Sequence, residues 1–314
     1  MSNMLKCSVD LISVQDFCEY YHYPEDAVAE IISVGRMIMD SPGSWEQFQK
    51  AYAILFDKEN LAAEAYLSIL RKIAGELKLN DYIVPLVFYL CAVSNLEQLY
   101  AKKHMPGWVC QDSLRDLLFK VRECKTWTGC YGLYSPAWFY EYFRVERFGL
   151  GRLQYDVMPY YGKACRIADR DIRPGDYVLR CHIPRSEQSF GKEERMRSYK
   201  LAYRFAKRFC PEIFREKTIP IMCVSWLLFP LNERILPETS NIVSFMKEFK
   251  LVEVLEQPES TMERIFNKMY NGNPLDMPSD SALQKGYRQW LIDGNVSGEG
   301  HGIMLFDGEN IINN

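Results

Sequence analysis

The chain has 314 residues, 48% of them hydrophobic and 25% charged, with a formal net charge of −3. That length accommodates two ordinary domains or one large one, and the composition supports a buried core. The slightly acidic balance excludes a general nucleic-acid binder, which needs a basic face to displace counterions.

Ten cysteines are scattered with no pair at the two-residue gap of zinc or redox sites, so reduced structural thiols in a cytoplasmic protein, and no metal, are expected. The opening MSNMLKCSVDLISVQDF carries acidic residues and no long apolar stretch, unlike a signal peptide. The most apolar segment, Tyr82 to Val93, contains Pro85 and falls short of the roughly 20 residues of a bilayer span, so no membrane is expected either.

To about Trp138 the signals are helical. Ser13 with Asp16 can cap a first short helix. Pro24 suits the first turn of a second, which carries Val28, Ile31, Ile32 and Met39 and stops at Ser41-Pro42-Gly43. Ser44 with Gln47 makes a capping box for a third, through Phe56. Leu61, Ala65, Ile69, Ile73 and Leu77 recur at four-residue spacing and predict a fourth helix with those side chains inward. Asp81 can start a more buried helix to about Lys103. Asp112 or Ser113 caps another, with Leu114, Leu117, Leu118 and Val121 inward. Six helices with short connections describe a bundle.

The period then changes. Leu153, Tyr155 and Val157 alternate with Arg152, Gln154 and Asp156, the pattern of a half-buried strand. Phe143 to Phe148 is its expected hairpin partner. Arg173-Pro-Gly-Asp176 is a turn, because Pro sets φ and Gly permits positive φ. A strand from Tyr177 to Ile183 follows. A polar loop, Arg185 to Gly191, leads into a helix from Lys192 to Phe209 with Met196, Tyr199, Ala202, Ala206 and Phe209 inward. Ile219 to Leu228 reads as a strand buried on both faces. A helix over Asn241 to Phe249, a strand over Leu251 to Glu256, helical segments near Met262 to Tyr270 and Ala282 to Ile292, and a strand over Gly302 to Phe306 complete the chain. The expected fold class is α+β: a helical domain over 1–140, then a mixed-sheet α/β domain over 141–314.

Three stretches can carry chemistry. Backbone N–H groups at the start of the Lys192 helix favour an anion such as a pyrophosphate, which makes Gln188, Ser189 and Gly191 candidate cofactor contacts. The bland alternative is a plain strand–helix connection whose acids Glu193 and Glu194 complement the helix dipole. His182 ends the Tyr177 strand on one face with Arg180, opposite Cys181. It is either a general base or a hydrogen-bonded structural group. Ser225 and Trp226 sit at the end of the buried strand, where ligands bind in such sheets, or belong to the core. The basic residues Lys192, Arg195, Arg197, Lys200, Arg204, Lys207 and Arg208 lie off the inner stripe and predict a solvated face. His22, His104 and His301 lie far apart, with no metal-ligand spacing.

Phe148-Gly-Leu-Gly-Arg-Leu-Gln154, Cys181-His-Ile-Pro184, Ser225-Trp-Leu-Leu228 and Ser240-Asn-Ile242, in this order, resemble a bacterial family of acyltransferase-domain proteins with a helical N-acyltransferase N-terminal domain and a GCN5-like (GNAT) C-terminal domain. Gln188-Ser-Phe-Gly191 matches the first part of the GNAT pyrophosphate loop, with Glu193 where the pattern has a small residue. The resemblance implies acyl-CoA or acetyl-CoA as co-substrate, held between two splayed strands, and direct attack by a small amine. It casts His182 as base, Ser225 as a polar catalytic contact, and Trp226 and Arg180 as pocket residues. GNAT enzymes often reprotonate the thiolate with a Tyr on a following helix; the helix after Ser240 carries Ser244 and no Tyr. A GNAT-like shell that binds a ligand or partner without catalysis is the alternative. A hydrolase using one of the cysteines is a third.

Overall fold

The computed structural model describes residues 10–57, 59, 62–256 and 261–313. The chain divides into two compact units, Met1–Gly149 and Leu150–Asn314.

Among its described residues the first unit holds six long or medium helices: α1 (Leu11–Tyr20), α2 (Glu25–Asp40), α3 (Pro42–Leu55), α4 (Glu64–Glu76), α5 (Ile83–Lys102) and α6 (Gly107–Thr128), then the single turn α7 (Tyr140–Phe143). The bundle was legible; several ends were not. Asp10, not Ser13, caps α1 by accepting the Ile12 N–H. α3 starts at Pro42, ahead of the proposed Ser44–Gln47 box, and Ser44 instead bonds the Ser41 hydroxyl at 3.0 Å. α6 starts at Gly107, just after Pro106, whose fixed φ suits a helix start. Ser113 is therefore mid-helix and donates to the Val109 carbonyl at 2.7 Å, while Leu114, Leu117, Leu118 and Val121 are buried as expected.

The inner face of α4 also differs: Tyr66, Leu67, Leu70, Ile73 and Ala74 are buried, whereas Ala65 is exposed and Leu61 lies outside the described residues. A strict four-residue ladder advances 40° per step beyond a full turn, so it winds off a face that 3.6 residues per turn holds in line. α5 is long and apolar enough, by length and composition alone, to cross a bilayer; 78% of that stretch is buried inside the fold, where it serves as the bundle's core helix. Asn80 starts it by accepting the N–H groups of Tyr82 and Ile83.

The second part of the chain builds a six-stranded mixed sheet. Its strands are β1 (Arg147–Leu150), β2 (Leu153–Pro159), β5 (Tyr177–His182), β6 (Ile219–Ser225), β7 (Lys250–Glu256) and β8 (Gly298–Phe306), in the order β1-β2-β5-β6-β8-β7. The sequence-based strand over Phe143 to Phe148 is thus shorter and later, because Tyr140–Phe143 closes as a helical turn. A separate hairpin, β3 (Cys165–Ile167) with β4 (Arg170–Ile172), was not foreseen; three-residue strands are too short to show a period.

Helix α8 (Lys192–Phe209) covers one sheet face. Ser198, fully buried, receives the Leu153 N–H, bonds the Tyr155 hydroxyl at 3.0 Å and donates to the Leu150 carbonyl, which fixes the helix on β2. The β3–β4 hairpin packs Ile167 and Ile172 with Val178, Met222, Ile303 and Leu305 on the opposite face. A third cluster, around Phe229, Met262, Phe266 and Tyr287, joins the short helices α9 (Leu231–Ile235), α11 (Met262–Phe266) and α12 (Ala282–Ile292). The strand expected to run to Leu228 ends at Ser225, after which Trp226–Leu228 forms a 3-10 turn.

The solvated-face expectation for α8 holds for Lys192, Arg197, Arg204, Lys207 and Arg208, which are exposed, and fails at Arg195. It is fully buried, binds Glu248 through Nε and Nη2, and donates to Ser244 on α10 (Asn241–Met246) at 2.9 Å; Tyr199 donates to the same carboxylate.

Candidate active site

The site is built where two parallel strands part. β5 and β6 pair from Leu179↔Ile221 to Cys181↔Cys223, yet β5 continues to His182 and β6 to Ser225. Beyond the last pair the carboxyl ends have no mutual ladder, and such ends are where open sheets of this kind bind ligands.

Alternation along β5 puts Arg180 and His182 on the face away from α8. β2 runs antiparallel beside it, with Gln154 opposite His182 and Asp156 opposite Arg180. Asp156 is 5% exposed and joins the two: Arg180 Nε and Nη2 donate to its two oxygens at 2.9 Å each, and His182 Nε2 lies 2.9 Å from Oδ2. The half-buried reading of β2 fails here, because Arg152, Gln154 and Asp156 are all buried. A carboxylate hidden from water keeps its charge only with partners. Burial pushes the Asp156 carboxyl up, but hydrogen bonds and charge from His182 and Arg180 outweigh it and hold it well below the usual carboxylate range. Burial works against the Arg180 charge, but the Asp156 carboxylate outweighs it and holds the guanidinium above its usual pKa.

A carboxylate on Nε2–H fixes the imidazole tautomer with its lone pair on Nδ1 and stabilises the imidazolium that forms on proton uptake. The trio is therefore chemically a base with its orienting acid, and Arg180 compensates the acid's charge. Cys181 points to the other face, beside Cys223, and burial raises its thiol strongly, so it forms no nucleophile pair with His182.

Two family models match the chain with little between them: an N-acyltransferase N-terminal domain over residues 13–145 and a GNAT-like C-terminal domain over residues 148–304. The chain belongs to the family that joins these two domains. A solved mutant acyltransferase in complex with octanoyl-CoA is similar to it, with TM-score 0.75 and 20% identity over 96% of this chain and 90% of that one. An acyltransferase in complex with decanoyl-CoA and teicoplanin is similar at TM-score 0.73 and 21% identity, over 92% of this chain and 86% of that one. At these identities the likeness is one of fold. No curated protein matches the chain.

In the GNAT-like domain the other sequence-based candidates are placed unequally. Ser225 accepts the Leu227 N–H at 3.1 Å and so caps the 3-10 turn. Trp226 packs edge-on to Tyr287, 6.4 Å between ring centres, in the cluster with α12. Arg180 lines the open face but spends two donors on Asp156. In the loop, Ser186 Oγ takes the Gln188 N–H and Ser189 Oγ takes the Gly191 N–H, so two amides that a phosphate would use have partners in the chain. Gln188 and Ser189 are exposed beside them, and Ser244 is engaged by Arg195.

Sequence reasoning missed Asp156, Gln154, His301 and Glu253. His301 on β8 pairs with Val224, one residue past the last β5–β6 pair, and Glu253 on β7 pairs with His301. Gln154 Oε1 and His301 Nδ1 are buried without a partner. The sequence carried no signal for Asp156, which sits in the polar register of its strand, two strands of sequence away from the His it pairs with. Among the described residues no three His, Cys, Asp or Glu side chains gather as a metal site.

Proposed function

We propose that the chain transfers an acyl group from acyl-CoA to an amine. The observation that carries this reading is the His182–Asp156–Arg180 trio at the parting of β5 and β6 within a GNAT-like domain. The thioester lies in the opening between the strands. The amine nitrogen attacks the carbonyl carbon, a C–N bond forms, and the C–S bond breaks to release coenzyme A. The amine's proton passes to His182 Nδ1 while Asp156 holds Nε2–H, and leaves through the imidazole to thiolate or solvent. Gln188, Ser189, Gly191 and the first turn of α8 border the phosphates, and Trp226 and Ser225 the far strand end. The solved relatives with octanoyl-CoA and decanoyl-CoA support medium-length acyl donors, and the complex with teicoplanin supports an amine on a small molecule. We further propose domain limits of 1–140 and 141–314, and a cytoplasmic setting.

Calorimetric titration with acetyl-, octanoyl- and decanoyl-CoA, followed by thiol-release assays over an amine panel, tests the reading. Micromolar binding with amine-dependent thiol release that His182→Ala lowers by about 10²- to 10⁴-fold is expected. No binding to any of the three sinks it. The occupied loop amides and the acids Glu193 and Glu194 favour a second reading, a non-catalytic binding protein; coenzyme A binding without turnover of any amine would select it.

A further inference from the structure

The polar residues of the open face form a row across the sheet. On β2 and β5 Gln154 stands opposite His182, and on β6, β8 and β7 Val224, His301 and Glu253 stand opposite one another; His182 and Val224 are each one residue past the last β5–β6 pair, Cys181↔Cys223. Paired strands are about 4.8 Å apart and β5 and β6 part here, so His301 stands at least two spacings, about 10 Å or more, from His182.

His301 is 7% exposed, with its Nδ1 buried, unpartnered and 4.0 Å from Glu253 Oε2. An unsatisfied buried imidazole nitrogen is costly and marks a group that completes its bonding elsewhere. Tyr161 lies edge-on to His301, with 6.0 Å between ring centres, and also interacts with Arg180, so it bridges the two histidine sites while half exposed. Glu253 holds the Lys163 ammonium at 2.9 Å, and that lysine is 70% exposed. Such an exposed pair is weak and exchanges readily with another cation. The Lys163 ammonium therefore stands in the place that a ligand's ammonium would take.

We infer that His301, Glu253 and Tyr161 form a second acceptor subsite, which recognises an ammonium or hydroxyl group about 10 Å from the nitrogen that reacts at His182. This rests on the proposed acyl transfer and narrows it: the acceptor is a polyfunctional amine, such as a diamine, and simple monoamines are poor substrates. Glu253 supplies charge, His301 Nδ1 supplies the missing hydrogen bond, and neither touches the reacting atoms.

The test compares 1,7-diaminoheptane, whose nitrogens span about 10 Å when extended, with heptylamine on the whole chain. The expected kcat/KM ratio favours the diamine by tenfold or more, carried by KM, and falls towards one in Glu253→Gln and in His301→Gln. A ratio near one in the natural chain, or an undiminished ratio in both variants, overturns the subsite. Binding is read separately from turnover by ring resonances of the four histidines, with His301→Gln assigning its own. The diamine should move the His182 and His301 signals together at one midpoint. An unmoved His301 signal refutes the subsite even if no amine is acylated, whereas a moved one with no turnover refutes only the acyl transfer.

Discussion

Asp156→Asn isolates the electrostatics of the site. The substitution keeps the shape and one acceptor oxygen but removes the charge that Arg180 and His182 share. The carboxylate side chain is 6% exposed, His182 17% and Arg180 26%, so the pair is mostly buried. Hydrogen bonds to charged groups contribute about 1.5–3 kcal/mol each, and breaking one side of a buried pair costs about 3–5 kcal/mol. Discounting for Arg180's exposure leaves roughly 2–4 kcal/mol. For a protein of this size that lowers the melting temperature by about 3–6 °C. The pH dependence carries a definite sign. The folded-state pKa of Asp156 lies below its ordinary 3.8. Its contribution is therefore present above the unfolded value and is lost as pH falls through the folded one. Chemical denaturation of both forms should show a stability gap that does not shrink from pH 8 to 5, because a protonated His182 pairs more strongly with the carboxylate, and that narrows only below about pH 3.8. A gap under about 0.5 kcal/mol at pH 7, or one that closes already between pH 7 and 5, refutes the argument.

Three more outcomes follow from the same geometry. Arg195→Met leaves Glu248 buried and unpaired and should cost about 3–5 kcal/mol, read by urea unfolding, while adding Glu248→Leu should recover much of it. Burial pushes the Cys18 and Cys110 thiols up to about 12, so alkylation at pH 8 should leave both unlabelled in the folded chain, by mass spectrometry, and label them on unfolding. Gly300, between the capped turn and His301, faces the Leu228 carbonyl so closely that an added Cβ would lie 2.3 Å from its oxygen. Gly300→Ala should force β8 off that turn and destabilise by about 1–3 kcal/mol by thermal melting; no change in melting temperature would show that the turn yields freely.

The sequence alone determined much of the architecture. A change of hydrophobic period from 3.6 to 2 is a local property, so the helical bundle, the sheet that follows it and the bounds of α8 and α12 were readable from neighbours along the chain. His182 on a strand end with Arg180, and Cys181 on the opposite face, came from the same alternation. What the sequence could not express was which strand lies beside which. Only the β2–β5 register brought Asp156 to His182 and Arg180, turning a strand's apparent water face into a buried ion trio. Only the β6–β8–β7 order set His301 and Glu253 opposite each other, from segments far along the chain. Arg195 escaped for a related reason: a charge on a helix reads as solvated until its partner, Glu248, arrives from a distant segment and neutralises it. Local period comes from backbone geometry and is written residue by residue. Pairing between distant groups arises when strand order closes the sheet, and the candidate chemistry of this protein lies almost wholly in such pairs.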